Sequence, residues 1–408
     1  MKQNELALKE YKLQKEIEQL RHLIFIQKRE ELKEKLSKAE EELKSIQTEL
    51  KALRKQNSNC GLILKTKIDN SSDTVTRSRG RTKGNIEIEV FIGMEYIPTA
   101  IYHLFEAESN PLVIYLIKAI DMDKKIKITS HIQGYSAKAI NTIEIKANTA
   151  ETIYQLPTLF PHIINSITEI TKATLHIIIE EVGGELIQED SYTVSLLSRN
   201  SAIRLFYNPK ENELVDISEY LGVFVTPNQR DIISFLRTVA DFHPSKQINS
   251  YSGEVKTEEE IEMEEAQVTK QIEAIFNAIK SIDVIYTNSV IDFNPHKNLY
   301  GQRVRLPREV LKERQANCLD GTFLYASLLE ACSLNPAIVI IEGHAFIAWE
   351  TYFESNKWRF LETTVTSSHN FYEACQIGEM TAKEYMEKGD LQLLPINYLR
   401  ANGIMPME

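Results

Sequence analysis

Cysteine is scarce in this sequence, with four in 408 residues: Cys60, Cys318, Cys332 and Cys375. None shows the close-paired spacing of a zinc site. Cys332 lies 14 residues beyond Cys318, about 21 Å along one helix, too far for a disulfide. Such usage fits reduced thiols in a cytoplasm rather than a disulfide scaffold, and neither a metal nor another cofactor is expected. Long apolar runs are missing too. The one apolar burst near the N-terminus, Leu23-Ile24-Phe25-Ile26, is far short of the ~20 residues that cross a bilayer. With no apolar core before a small-residue cleavage site, the chain is expected to be cytoplasmic, without a membrane partner. Basic charge is also in deficit: the net charge is −11, against the basic surface a general nucleic-acid binder needs. One basic stretch, Arg77 to Lys83, reads as a solvated tether. A Gly-rich phosphate loop ending in Gly-Lys-Ser/Thr is absent, so any nucleotide-driven role falls to a partner.

Glycine and proline are absent from residues 1–57, which are rich in Leu, Glu, Lys and Gln, all helix formers. Leu32, Leu36, Ala39, Leu43, Ile46, Leu50 and Leu53 alternate steps of four and three, the heptad seam of a coiled coil. An earlier seam, Leu13, Ile17, Leu20 and Ile24, is out of step by one residue, which predicts a local rewinding between them. A stripe of this kind must be buried, so 1–57 is expected to join a second copy, as a homo-oligomer, or a partner protein, the alternative being the rest of the chain.

Residues 58–84 are polar and read as a flexible linker. From 85 to 207 short alternating runs, such as Ile86, Ile88 and Val90 between Glu87 and Glu89, are separated by turn signals such as Asn110-Pro111 and Gly183-Gly184. That pattern predicts an all-β sandwich. Its histidines, His131, His162 and His176, are scattered and read as structural. Residues 208–265 read as a helical, acidic connection, whose run Glu258 to Glu265 is a solvated helix start. The linker and the 250–265 stretch are the expected hinges. Val268, Ile272, Ile275 and Ile279 then form one helical stripe that should pack on a C-terminal α+β domain at 266–395, followed by a tail at 396–408. The fold class expected is multidomain: N-terminal α coiled coil, β-sandwich, C-terminal α+β domain.

The chemistry concentrates between Tyr300 and Thr364. Gly301-Gln302-Arg303-Val304-Arg305-Leu306-Pro307 leads to Asn317-Cys318-Leu319-Asp320-Gly321, which opens a helix. Asn317 is a good N-cap and Asp320 can answer it in capping-box fashion. Cys318 therefore sits in a first turn, where unpaired N–H groups and the dipole favour a thiolate and can hold a developing oxyanion. Ala337 to Ile341 reads as a buried strand, Gly343-His344-Ala345 opens another, and Trp358 to Thr364 returns after a turn. A turn centred near Glu354 places Glu362 opposite Phe346, on the face of His344 and diagonal to it. One residue of slip would separate them. In that register Cys318, His344 and Glu362 form a thiol–imidazole–carboxylate relay, the arrangement of an activated cysteine nucleophile.

Cys-x-Asp, then Gly-His-Ala-Phe, then Trp358, Leu361, Glu362 and Thr364 resembles the core of the transglutaminase-like superfamily of papain-like fold. The likeness is closer to the transglutaminase-like module at the N-terminal end of some large bacterial helicase-type proteins. These share the Gly-Gln-x-hydrophobic-Arg-hydrophobic-Pro approach and a glutamate as third member. It covers about 210–380 and leaves out the coiled coil. The resemblance implies Cys318 as nucleophile, His344 as base and Glu362 as the residue orienting it. Gln302, Asn317 and Asp320 are candidate oxyanion or supporting residues, with Gln315 a further candidate. It implies a cysteine peptidase or amidase working on a protein or peptide through a thioester, and by analogy a bacterial antiviral defence effector. Acyl transfer to an amine, as in transglutaminases, is the alternative. A non-catalytic coiled-coil scaffold with a vestigial site is the third.

Overall fold

The alternation of apolar and polar residues after residue 85 does what a pleated strand requires. In β2 (Ile86–Ile92) Ile86, Ile88, Val90 and Ile92 are buried while Glu87 and Glu89 are exposed. The structure, a computed structural model, describes residues 78–83, 85–208, 213–253, 255–288 and 299–407, with positions 38 and 45. The expected coiled coil at 1–57 lies outside these residues, apart from the helical positions Lys38 and Ser45. Cys60 lies outside them as well.

Two sheets occupy the β-rich region. One has the order β1 (Ser78–Lys83), β2, β4 (Val113–Ala119), β7 (Ala150–Gln155), all antiparallel. The other runs β3 (Tyr96–Ile97), β9 (Leu186–Leu196), β8 (Thr171–Glu181), β5 (Lys124–Ile132), β6 (Ala139–Ile145). Val90, Tyr115 and Ile117 of the first share a core with Ile128, Leu175 and Val194 of the second. Gln155 is buried between them, accepting from Tyr115 Oη at 2.9 Å and donating to Ile128 O at 3.1 Å. Strand β1 corrects the linker: its sequence, Ser-Arg-Gly-Arg-Thr-Lys, has no apolar residue and so no alternation to read, yet it pairs with β2 from Ile86 to Phe91.

The boundaries drawn from composition are crossed by long-range pairing. β10 (Ser201–Asn208) pairs with β11 (Glu213–Asp216) on one side and with β13 (Leu299–Arg303) on the other. The 208–265 region is built into the C-terminal half rather than merely connecting to it. Phe224, in a 3-10 turn at Ser218–Phe224, stacks on Phe323 at 5.4 Å, and Thr226 N donates to Ser327 Oγ at 2.8 Å. Helix α1 (Arg230–Phe242) packs on α2 (Glu258–Ser281). The acidic run does start a helix, capped reciprocally by Thr257 and Glu260. Glu264 within it is nevertheless only 4% exposed and accepts Ser252 N at 2.7 Å. Tyr251 Oη donates to Glu350 O at 2.9 Å, so 250–265 is tied down where a hinge was expected.

After α3 (Pro307–Glu313) comes α4 (Cys318–Ala331), buried on every side from Leu319 to Leu329, as a helix apolar all round must be. Beside it lies an antiparallel sheet of order β17 (Trp358–Leu361), β16 (His344–Glu350), β15 (Pro336–Ile341), β18 (Gln392–Pro395). One face, Ile338, Ile340, Ala345 and Ile347, joins the core around α4. The other, Val339, Ile341, Phe346 and Ala348, meets Ala382 of α5 (Phe371–Lys388). Two short parallel strands, β12 (Ile285–Tyr286) and β14 (Gln315–Ala316), precede α4. No described helix is long and apolar enough to cross a membrane.

The expected tail is also packed. Helix α6 (Ile396–Ala401) buries Leu399, and Ile404 and Met407 follow it into the core. Arg400 spends all five guanidinium N–H groups there, on both oxygens of Glu330 and on the carbonyls of Gly222, Val225 and Ile404. With the pair mostly buried, Arg400→Met is expected to lower unfolding free energy by about 3 kcal/mol, read from urea titrations. Arg400→Lys should recover less than half of that, because an ammonium cannot reproduce the fork.

Candidate active site

Cys318 owes its position to a capping box. Asn317 Oδ1 accepts Asp320 N at 2.9 Å, and Asp320 Oδ2 accepts Asn317 N at 3.0 Å. The Asp320 side chain has no exposure and also takes Arg305 N at 2.8 Å and Arg305 Nη1 at 3.2 Å. Burial pushes its carboxyl above the usual range, and the Asn317 and Arg305 donors offset that in part. Arg305, from the approach segment, reaches on to Glu313 and to Gln315 Oε1. The helix start is thereby locked to the chain that runs past it, and Cys318 sits half-buried on its first turn.

His344 opens β16 directly after the two-residue turn Glu342-Gly343 that joins it to Ile341. Its ring lies 6.0 Å from that of Phe346. The neighbouring register pairs Ile347 with Leu361, and one further step sets Phe346 against Glu362, as the turn centred on Glu354 requires. His344 Nε2 meets Glu362 Oε2 at 2.7 Å, and the carboxylate side chain is only 6% exposed. Glu362 Oε1 is filled by Thr364 N at 2.9 Å and Thr364 Oγ1 at 2.6 Å. Two glycines let helices approach this strip. A Cβ on Gly378 of α5 would lie 2.9 Å from Glu362 N, and one on Gly321 of α4 would lie 3.1 Å from Thr363 Oγ1. Residues 361–363 are thus wedged between the two helices.

Electrostatics follows from this geometry. Hydrogen bonding to Cys318 and then to Glu362 raises the His344 pKa to about 10, against the opposing effect of burial. Its Nε2 is the nitrogen engaged by Glu362. Burial alone would raise Glu362, but the His344 hydrogen bond and charge and the Thr364 donors outweigh it and hold the carboxyl below its usual range. Burial pushes Cys332 and Cys375 up to about 12, leaving them as inert packing groups.

The remaining sequence candidates fall into two groups. Asn317 and Asp320 hold the helix start, and the Asn317 Nδ2 is buried without a partner. Gln302 lies on β13 opposite Ala202, and among the described residues its side chain makes no hydrogen bond to Cys318, His344 or Glu362. Gln315 is occupied through Oε1 by Arg305. Sequence reasoning passed over Tyr286. Burial, then the charges of Cys318, Glu362 and Asp320, raise its hydroxyl pKa. Only its place in the apolar run Val284-Ile285-Tyr286 could have drawn notice, and nothing in that run points to a site. Among the described residues no cluster of three or more His, Cys, Asp or Glu is disposed to hold a metal ion.

No protein-family model matches the sequence, and no curated protein is similar to it. Among solved structures, a candidate cysteine protease from Cytophaga hutchinsonii is similar over 60% of this chain and 72% of that one, at 11% identity and a TM-score of 0.21. A likeness at that score does not extend to a shared site, and the chemistry rests on this chain's own residues.

A histidine whose folded pKa of about 10 exceeds its ordinary 6.5 adds stability that is complete below 6.5 and lost as pH rises through 10. Wild-type protein is therefore expected to lose unfolding free energy over that window more steeply than His344→Gln, by urea titrations at stepped pH. Glu362 has the opposite sign, its share being lost as pH falls below the ordinary glutamate value. In Glu362→Gln the imidazole titration, followed by NMR of the ring protons, is expected to move down toward 6.5.

Proposed function

We propose that this protein is a cysteine-dependent amide hydrolase, a peptidase or amidase of transglutaminase-like, papain-type architecture, using Cys318, His344 and Glu362. The observation that carries the reading is the 2.7 Å bond from His344 to a buried Glu362, with Cys318, on a helix start, interacting with the same imidazole. The reading is supported by the order of the elements as well: a thiol at the open end of a buried helix, then an imidazole and a carboxylate from adjacent strands.

In the reaction so proposed, the Cys318 sulfur attacks the carbonyl carbon of an amide. Charge develops on the carbonyl oxygen near the Cys318 N–H, which leads the helix and is aimed outward. His344, protonated, gives its proton to the departing amine nitrogen as the C–N bond breaks, leaving a thioester on Cys318. Water then attacks that thioester, His344 removes a proton from it, and the acid leaves with the thiol restored. Glu362 never exchanges a proton: it fixes the ring orientation and stabilises the imidazolium. An amine in place of water would turn the same intermediate into acyl transfer.

The test is the rate of Cys318 alkylation by iodoacetamide against pH, read by peptide mass spectrometry. Wild-type labelling is expected to persist well below the free-thiol pKa of about 8.5 and to fall at least about tenfold in His344→Ala. Labelling as slow as that of Cys332 and indifferent to His344 would sink the proposal.

A further inference from the structure

Gly321 stands where the thiol helix packs on the carboxylate strip. It follows Cys318 by three residues on α4, so the two are neighbours on one side of that helix. Thr363, the residue after Glu362, lies against it: a Cβ on Gly321 would be 3.1 Å from Thr363 Oγ1 and 3.3 Å from Thr363 Cβ. Carbon atoms ordinarily rest about 3.5–4.0 Å apart. A glycine inside a helix is destabilising relative to alanine, and here the missing side chain is what lets the two elements meet. Neither neighbour is free to step back. Turning the Thr363 side chain moves its hydroxyl but not its Cβ. The strip is backed by α5, where a Cβ on Gly378 would lie 2.8 Å from Leu361 N, and Glu362 N donates to Ala374 O at 3.1 Å. The start of α4 is held in turn by Asp320 and Arg305. The Thr363 hydroxyl is buried without a hydrogen-bond partner, so its part in the contact is one of shape.

The three members of the relay arrive on different elements. His344 opens β16 and Glu362 directly follows β17, two strands paired with each other, so their bond is internal to one sheet. Cys318 comes from the helix. The distance that the sheet cannot set is the one between thiol and imidazole, and the contact of Gly321 with Thr363 spans the same helix-to-strip boundary. It lies within one turn of the sulfur and one residue from the carboxylate. We propose that Gly321 is a positioning residue, whose missing side chain lets α4 settle on Thr363 at the depth where the Cys318 sulfur meets the His344 ring. A methyl at Gly321 obliges its neighbour to give by a few tenths of an ångström, against the roughly 0.5 Å within which catalytic groups must be held. The thiol–imidazole pair weakens, while the bond from His344 to Glu362 stays within its sheet. The proposal rests on the hydrolase reading and adds to it the residue that sets the reach of the thiol.

The test is a double-mutant cycle on the full chain, read by iodoacetamide labelling of Cys318, with circular dichroism to follow the fold. At about pH 6, below the free-thiol range, Gly321→Ala is expected to label about tenfold more slowly than wild type, in keeping with a misplacement smaller than about 1 Å. At about pH 9.5 an unassisted thiol ionises by itself, and the two should label within about twofold of each other. A sulfur merely covered over would be slow at both. Thr363→Gly removes both atoms that the methyl would meet. In that background Gly321→Ala is expected to change the rate by less than about twofold, because the coupling belongs to the contact. A Gly321→Ala profile that follows wild type at both pH values overturns the proposal. So does an equal loss in both backgrounds, which would place the effect within the helix. If Gly321→Ala does not fold alone, the Thr363→Gly background decides: folding there with the labelling of Thr363→Gly supports the contact, and loss of fold or labelling there overturns it. Slow labelling of wild type that is indifferent to His344→Ala is instead a failure of the hydrolase reading, distinguishable because it needs no variant at Gly321.

Discussion

The carboxylate of Asp320 is the group on which the site is hung. Its side chain has no exposure, yet it carries an N–H from Asn317, an N–H from Arg305 and the Arg305 guanidinium. A charge placed that deep is tolerated only when its oxygens are occupied, so the three donors and the carboxylate determine one another. Between them they decide where the helix carrying Cys318 begins and how the approach chain passes it. The height of the sulfur relative to the imidazole follows.

Hydrophobic burial assembles the layers around this point but cannot place an atom to within a hydrogen-bond length, because it has no direction. The helix with Cys318 is buried on all sides from Leu319 to Leu329, and hydrophobic burial alone would let it turn or slide. Directional bonds remove that freedom. Asp320 pins one end, Ser327 accepts Thr226 N further along, and Glu330 near the other end is held by Arg400. The strip bearing Glu362 is fixed differently, by two helices that approach its backbone through glycines. Desolvation disfavours the charge on Glu362, and the imidazolium with Thr364 outweighs it. The balance therefore depends on the histidine staying protonated.

Much of the site was legible because its signals are local. The cap at Asn317 and Asp320 is three residues long, and the hairpin from His344 to Glu362 can be counted about its own turn, with Ile347 opposite Leu361. What escaped reading is either non-local or polar. The pairing of β10 with β13 joins segments about a hundred residues apart and leaves no periodic trace. Strand β1 and the segment after Pro395 look like linker and tail because what holds them, pairing to β2 and the donors of Arg400, is not written in hydropathy. Glu264 lay hidden in a run of like charges, though it is buried and bonded to Ser252 N.

The turn between Glu350 and Trp358 acts as a spacer whose length matters more than its composition. Because Ile347 faces Leu361 across it, deleting or inserting a single residue there would reverse the side on which Glu362 emerges. The histidine would lose its carboxylate although every site residue was still present. Drift of amino-acid identity in the loop should be cheap, whereas a frame-preserving indel of one codon should be silencing.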